Sequence, residues 1–395
     1  MNTIKILRIA YKNIPLYKNG KFEMNFVATD RVSDPIQVYP LYRTLYTQKL
    51  VALIGMNASG KTSALKLLYL AMSLILSNRG LNDKTLLGRE LLRDGTELEI
   101  TFIRANTHYQ LRATIGQKVD VRNKEEALFF REEFLYEKPT SSIKNKQDAL
   151  YFQADSKTFA LQRTKMPQEV LAVLQDDDSI VIGVTRNDRT ALRQFISFTN
   201  LNMLVAPGKV APEVLHVFDT NLEELTTDIS GVDLTYTVRF KNQKAPITIQ
   251  SPSHLNNLIS SGTIKGKNMM VLMQDVLASG GYFIVDEFEN HMNKELLRVI
   301  INIFKNPKIN PKGACLIFST HYAELLDFID RKDSIYVARK VPNAKGCIEI
   351  LNYAAEIKRN DVKKSDVILS NHIKGTAPLH ENIKALEDYL CNVQN

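Results

Sequence analysis

The sequence of this 395-residue chain predicts an α/β fold with mixed sheets flanked by helices. Three apolar runs carry that expectation. Leu50-Val51-Ala52-Leu53-Ile54 leads into a Gly-rich stretch and then into the helix-forming Ser63-Ala64-Leu65-Lys66-Leu67-Leu68. Tyr282-Phe283-Ile284-Val285 ends in two carboxylates, and Cys315-Leu316-Ile317-Phe318-Ser319-Thr320 ends in a histidine. Short unbroken apolar runs of this length read as buried strands.

Between the first run and its helix the chain reads Gly55-Met56-Asn57-Ala58-Ser59-Gly60-Lys61-Thr62. Strand, glycine-rich loop and helix in this order form a phosphate cradle. Glycines let the backbone wrap closely, while the amides and the helix N-terminus present positive partial charge; the lysine reaches the β/γ-phosphates and the threonine holds Mg²⁺. The candidate nucleotide contacts are therefore Gly55, Asn57, Ala58, Ser59, Gly60, Lys61, Thr62 and Ser63, with ATP and Mg²⁺ as expected ligands.

The second run delivers Asp286 and Glu287 at the C-terminal end of its strand. In P-loop NTPases the first acid supports the magnesium ion. The second stands where it can polarise a water for attack on the γ-phosphate, so Glu287 is the candidate catalytic base and Asp286 joins Thr62 as a candidate metal residue. An apolar run ending in acids is common; behind a P-loop it acquires meaning.

Two further segments narrow the class. Leu258-Ile259-Ser260-Ser261-Gly262-Thr263 leads into a helical stretch through Met269-Met270-Val271-Leu272, and His321 closes the third run. The order P-loop, Ser-Ser-Gly-Thr, Asp-Glu, strand-His resembles the ABC-type ATPases, in the branch that holds RecF, the SMC proteins and the OLD-family ATPases. That resemblance implies an ABC-type P-loop ATPase head with a compact inserted arm. It makes Ser260, Ser261, Gly262 and Thr263 the signature loop and His321 the switch histidine that senses the γ-phosphate. Further strings are similar to the stand-alone OLD-like ATPases of bacterial abortive-infection operons: Lys5-Ile6-Leu7-Arg8-Ile9, Val217-Phe218-Asp219-Thr220-Asn221-Leu222, Asp286-Glu287-Phe288-Glu289-Asn290 and Ser319-Thr320-His321-Tyr322-Ala323-Glu324. One departure stands out. The family often has a His-Pro pair after the glutamates, where this chain has His291-Met292-Asn293.

The resemblance also implies a mechanism. In an ABC-type subunit the signature loop lies too far from its own P-loop to touch the nucleotide, so two subunits arranged head to tail complete each site. ATP then joins a homodimer or higher oligomer, and hydrolysis loosens it. The implied role is a phage-defence switch governing a separate effector, a TOPRIM or RloB-type nuclease. The alternative is a RecF-like repair or chromosome-maintenance ATPase acting directly on DNA. The segment after His321 contains no Asp-x-Asp pair, so the chain itself is not expected to be a nuclease.

Composition agrees with this reading. With 44% hydrophobic residues the chain can bury a large core. Cys315, Cys347 and Cys391 fit neither a zinc nor a disulfide spacing, no uncharged apolar stretch is long enough to span a membrane, and the start lacks an apolar leader, so a cytoplasmic protein is expected. The net charge of +8, with basic pairs at Arg331-Lys332, Arg339-Lys340, Lys358-Arg359 and Lys363-Lys364, suits either a nucleic-acid surface or an ordinary solvated face. Asp176-Asp177-Asp178 reads as a solvated acidic turn. One of Tyr39, Tyr42 and Tyr46 is a candidate to stack on adenine.

The expected organisation follows from where the motifs fall. Residues 1–118 supply the first half of the ATPase domain and 230–395 the second, including a hairpin over 232–249. The intervening 119–229 form an inserted arm, expected to be mainly helical with helices near 167–176 and 188–203.

Overall fold

The computed structural model of the chain describes residues 3–119, 126–156, 158–197, 207–230, 233–341, 347–359, 361–378 and 380–393. It is a mixed α/β fold in which several sheets are flanked by helices. One six-stranded sheet is antiparallel throughout, in the order Phe22–Asn25, Lys5–Lys12, Thr96–Arg104, Thr107–Val119, Glu126–Pro139, Phe159–Gln162. A second six-stranded sheet runs Leu192–Phe195, Tyr282–Val285, Cys315–Thr320, Leu50–Ile54, Ile335–Lys340, Ile348–Asn352; its first five strands are parallel and the last is antiparallel.

The apolar runs explain the second sheet. All five residues of Leu50–Ile54 are buried, because both faces of the strand are covered. Val51 and Leu53 point to one side, into a core shared with helix Lys61–Leu76 and with Ile9, Tyr11 and Phe102 of the antiparallel sheet. Leu50, Ala52 and Ile54 point to the other, onto Met269 and Met273 of helix Ser261–Ser279 and Leu297, Ile300 and Phe304 of helix Lys294–Lys305. Helix Lys61–Leu76 is therefore held between two sheets, which is why its sequence is apolar nearly all round rather than along one stripe. Helix Lys294–Lys305, facing water on one side, turns Leu297, Ile300, Ile301 and Phe304 to the other.

A four-stranded sheet, Gly208–Lys209, Leu222–Ser230, Asp233–Phe240 and Ile247–Ile249, buries its own small core of Leu215, Leu225, Val238 and Leu255 against Ile264 near the start of helix Ser261–Ser279. The hairpin expected over 232–249 is thus two strands of this sheet; Val232 lies outside the described residues.

The segment 119–229 differs from the mainly helical arm that the sequence suggests. Glu126–Pro139 pairs along the whole of Thr107–Val119, and Phe159–Gln162 adds the next strand. The helix expected near 167–176 shrinks to Gln168–Leu171. In place of the helix over 188–203 stands the strand Leu192–Phe195, at the edge of the parallel sheet, while 198–203 fall outside the described residues. The reason lies in a masked alternation. Leu128, Phe130, Glu133 and Leu135 point inward, and a register shift opposite Thr114 and Ile115 breaks the period-two pattern between Phe130 and Glu133. Glu133 belongs to the buried set despite its charge: it accepts from Arg163 at 3.1 Å, from the Ile180 amide at 3.1 Å and from the Ser179 hydroxyl. Burial raises its carboxyl above the ordinary range even beside Arg163.

Among the described residues no helix is long and apolar enough to cross a membrane.

Candidate functional site

The loop after Leu50–Ile54 is shaped by contacts only glycine permits. A side chain on Gly55 would place its Cβ 2.2 Å from the Ala338 carbonyl oxygen, and one on Gly60 would fall 2.2 Å from Ile348 Cδ1. Ala58 (φ 56°) and Gly60 (φ 88°) both take left-handed backbone, which folds the loop back over the helix start. No side chain caps helix Lys61–Leu76 at Gly60, so its first amides stay open to the loop. Asn57, Ala58 and Thr62 are exposed, Ser63 is half-buried, and Ser59 is buried with a hydroxyl that has no protein partner.

Lys61 is buried, and its ammonium donates to the carbonyls of Gly55 (2.9 Å) and Met56 (3.0 Å) while standing 3.3 Å from His321 Nδ1. Burial pushes it down to about 8, against the pull of Asp286, Glu289 and Glu287.

The two acids reach the loop across the sheet. Tyr282–Val285 and Leu50–Ile54 flank Cys315–Thr320, all three parallel, so their C-terminal ends emerge together. Asp286 Oδ2 accepts the Thr62 hydroxyl at 2.6 Å, and Oδ1 accepts the Ser319 hydroxyl. Ser319 in turn accepts the Glu287 amide at 2.8 Å. Glu287 takes left-handed backbone (φ 46°), which turns the chain at once after the strand. His321 follows the middle strand, its amide held by Glu289 Oε1 at 2.6 Å and its side chain exposed beside Lys61.

These residues suit Mg²⁺ with a triphosphate. Neighbouring oxygens in an octahedral Mg²⁺ shell stand about 2.9 Å apart, close to the Thr62–Asp286 separation. Asp286, Glu287 and Glu289 all pull electrostatically on both Lys61 and Lys265. Among the described residues no group of three His, Cys, Asp or Glu is placed to hold a metal ion.

The Ser260–Thr263 turn is seated elsewhere on this assembly. The Ser260 hydroxyl caps helix Ser261–Ser279 by accepting the Thr263 amide at 3.1 Å. A Cβ on Gly262 would lie 2.4 Å from the His291 carbonyl oxygen, so the turn rests on the backbone just beyond the acids. One helical turn on, buried Lys265 donates to the carbonyls of Glu287 (3.0 Å) and Asn290 (2.8 Å). Burial lowers its ammonium to about 8 against the three carboxylates.

Ser319, Glu289 and Lys265 were not legible as site residues, since each acts on a partner remote in sequence or on backbone. Of Tyr39, Tyr42 and Tyr46, the first stands away from the Gly55–Thr62 loop. It packs on Gly313 and lies under Lys5 Nζ at 4.7 Å, beside the start of Cys315–Thr320, whereas the Gly55–Thr62 loop follows the opposite end of that parallel pair.

No protein-family model matches the chain, and no curated protein matches it.

Proposed function

We propose that the chain is an ATPase that works as a switch, binding ATP with Mg²⁺ and hydrolysing it to ADP and phosphate. The observation that carries this reading is the Thr62–Asp286 hydrogen bond beside Lys61, at the mouth of a loop in which Gly55 lies against the Ala338 backbone and Gly60 takes left-handed backbone. The Lys61 ammonium exchanges the Gly55 and Met56 carbonyls for phosphate oxygens, and the open amides of the helix start face the same charge. Thr62 and Asp286 would hold Mg²⁺, which when bound neutralises phosphate charge. Glu287 takes a proton from water as that water bonds to the γ-phosphorus, and the bond to ADP breaks. Ser319 fixes both acids at once.

Contact between Gly262 and the His291 backbone supports coupling between the signature turn and the acidic turn. In a head-to-tail homodimer, a partner nucleotide gripped by Ser260–Thr263 would be felt at Glu287. The sequence resemblance supports a defence role, in which this dimer governs a separate nuclease effector. The test is titration of the purified chain with a fluorescent ATP analogue together with phosphate release, wild type against Lys61→Ala. Binding and turnover lost in the variant are expected; equal turnover would overturn the reading. Isolation from the native operon tests the effector, which should accompany the chain.

A further inference from the structure

Glu289 stands two residues beyond the proposed base, 7% exposed, with its two carboxylate oxygens in different circumstances. Oε1 accepts the His321 amide at 2.6 Å, whereas Oε2 is buried without a protein partner. Buried polar atoms are nearly always hydrogen-bonded, so an oxygen left unpartnered calls for an explanation. Its surroundings hold it rigidly. Phe288, beside it in the chain, is fully buried against Phe318 with ring centroids 4.8 Å apart, and the Phe288 amide donates to the Ser319 carbonyl. The Met292 amide donates to the Glu289 carbonyl and closes the turn.

His321 needs such an anchor. It lies just past the end of Cys315–Thr320, where the sheet no longer fixes the chain, and its side chain is exposed. Its Nδ1 nevertheless sits 3.3 Å from the Lys61 ammonium. The path therefore runs from the acidic turn through Glu289 to the His321 backbone, and from the ring to Lys61. Glu289 also adds negative charge near both Lys61 and Lys265.

We propose that Glu289 is a positioning residue for hydrolysis: its Oε1 fixes the backbone of His321 so that the ring stands at the γ-phosphate end of the site when Glu287 acts. The inference rests on the ATPase reading and adds a residue to it. The contact is a hydrogen bond to an amide, so an uncharged acceptor of the same length serves and a shorter carboxylate does not reach.

The experiment measures kcat, KM and ATP-analogue affinity for wild type, Glu289→Gln, Glu289→Asp and Glu289→Leu, each also in a His321→Ala background, with thermal unfolding of every variant. Glu289→Asp and Glu289→Leu should lower kcat about 100-fold, since displacement of a catalytic group by about 1 Å costs that much, with affinity changed less than about threefold. Glu289→Gln should recover most of the loss. In the His321→Ala background the Glu289 substitutions should add little. If Glu289→Leu fails to fold, Glu289→Asp and Glu289→Gln carry the comparison. Wild-type kcat in Glu289→Asp, a full additional loss on top of His321→Ala, or Glu289→Gln as damaged as Glu289→Asp would each overturn the positioning role while leaving the ATPase reading intact. A wild-type chain that binds and hydrolyses no ATP would overturn both.

Discussion

Thr62 donates its hydroxyl to Asp286 across 2.6 Å although 224 positions separate the two residues. The bond joins the first turn of one helix to the end of a strand two places away in the sheet. Their substitutions should therefore part company with those of Glu287. Asp286→Asn should weaken Mg-ATP binding itself, whereas Glu287→Gln should still bind and accumulate an ATP-joined dimer with phosphate release nearly abolished. Light scattering with Mg-ATP, read beside phosphate release, checks both; a Glu287→Gln protein hydrolysing at the wild-type rate would move the base elsewhere.

Ser319 links the two acids, donating to Asp286 and accepting from the Glu287 amide. Ser319→Ala removes one hydrogen bond to a charged group and orphans an amide, so turnover should fall about 10- to 100-fold. Ser319→Thr keeps the hydroxyl and should lose less. Steady-state kinetics decide, and equal losses in the two variants would point to packing at this buried position.

Gly262 has no room for a side chain above the His291 carbonyl. Gly262→Ala should shift the acidic turn and slow hydrolysis within its own subunit, which makes it a poor probe of trans action. Ser261→Arg is the alternative probe, because a long cationic side chain at the start of helix Ser261–Ser279 should obstruct a partner's nucleotide in the head-to-tail arrangement. Mixed with Lys61→Ala protein it leaves one composite site free of both changes, and hydrolysis should return in the mixture. Persistent inactivity would count against the head-to-tail arrangement.

His108 is fully buried, with Nε2 3.1 Å from the Ala149 carbonyl. Burial, aided by Lys138, holds it down to about 4. An unfolded histidine titrates near 6.5, so between these values the unfolded chain binds a proton that the folded chain refuses. Stability should accordingly be full above pH 6.5 and fall by about 2–3 kcal/mol from this group by pH 4.5. His108→Gln keeps a donor without the titration and should flatten that slope. Urea midpoints at the two pH values measure it, and identical slopes would assign the acid sensitivity to other groups.

Contiguous pattern was legible and cross-chain pairing was not. Leu50–Ile54, the glycine loop and its helix, the strand before Asp286 and the strand before His321 each occupy one unbroken stretch, where local sterics and burial leave few alternatives. Helix Ser261–Ser279 was legible for the same reason, with Ser260 as its cap. The strand Glu126–Pro139 was not, because a register shift interrupts its alternation and Glu133 puts a charge on its buried face. Leu192–Phe195 was missed since its strand character depends on Tyr282–Val285, far along the chain. In the site, Lys61, Thr62 and Asp286 announce themselves by residue type at fixed spacing. Glu289 and Lys265 act on main-chain groups, which carry no residue signature.

The neighbours of Leu50–Ile54 in the sheet come from Cys315–Thr320 on one side and Ile335–Lys340 on the other, and Gly60 leans on Ile348. The order of synthesis gives this topology a further meaning. Strands from Lys5–Lys12 to Glu126–Pro139 pair mostly with close neighbours and can assemble as they leave the ribosome. The loop from Gly55 to Thr62 emerges early as well, yet the strands and the side chain that brace it follow much later in the chain. A nascent chain stopped before Ile348 would own the platform and lack a braced cradle. The loop is thereby braced only once Ile348 has been made, long after its own residues.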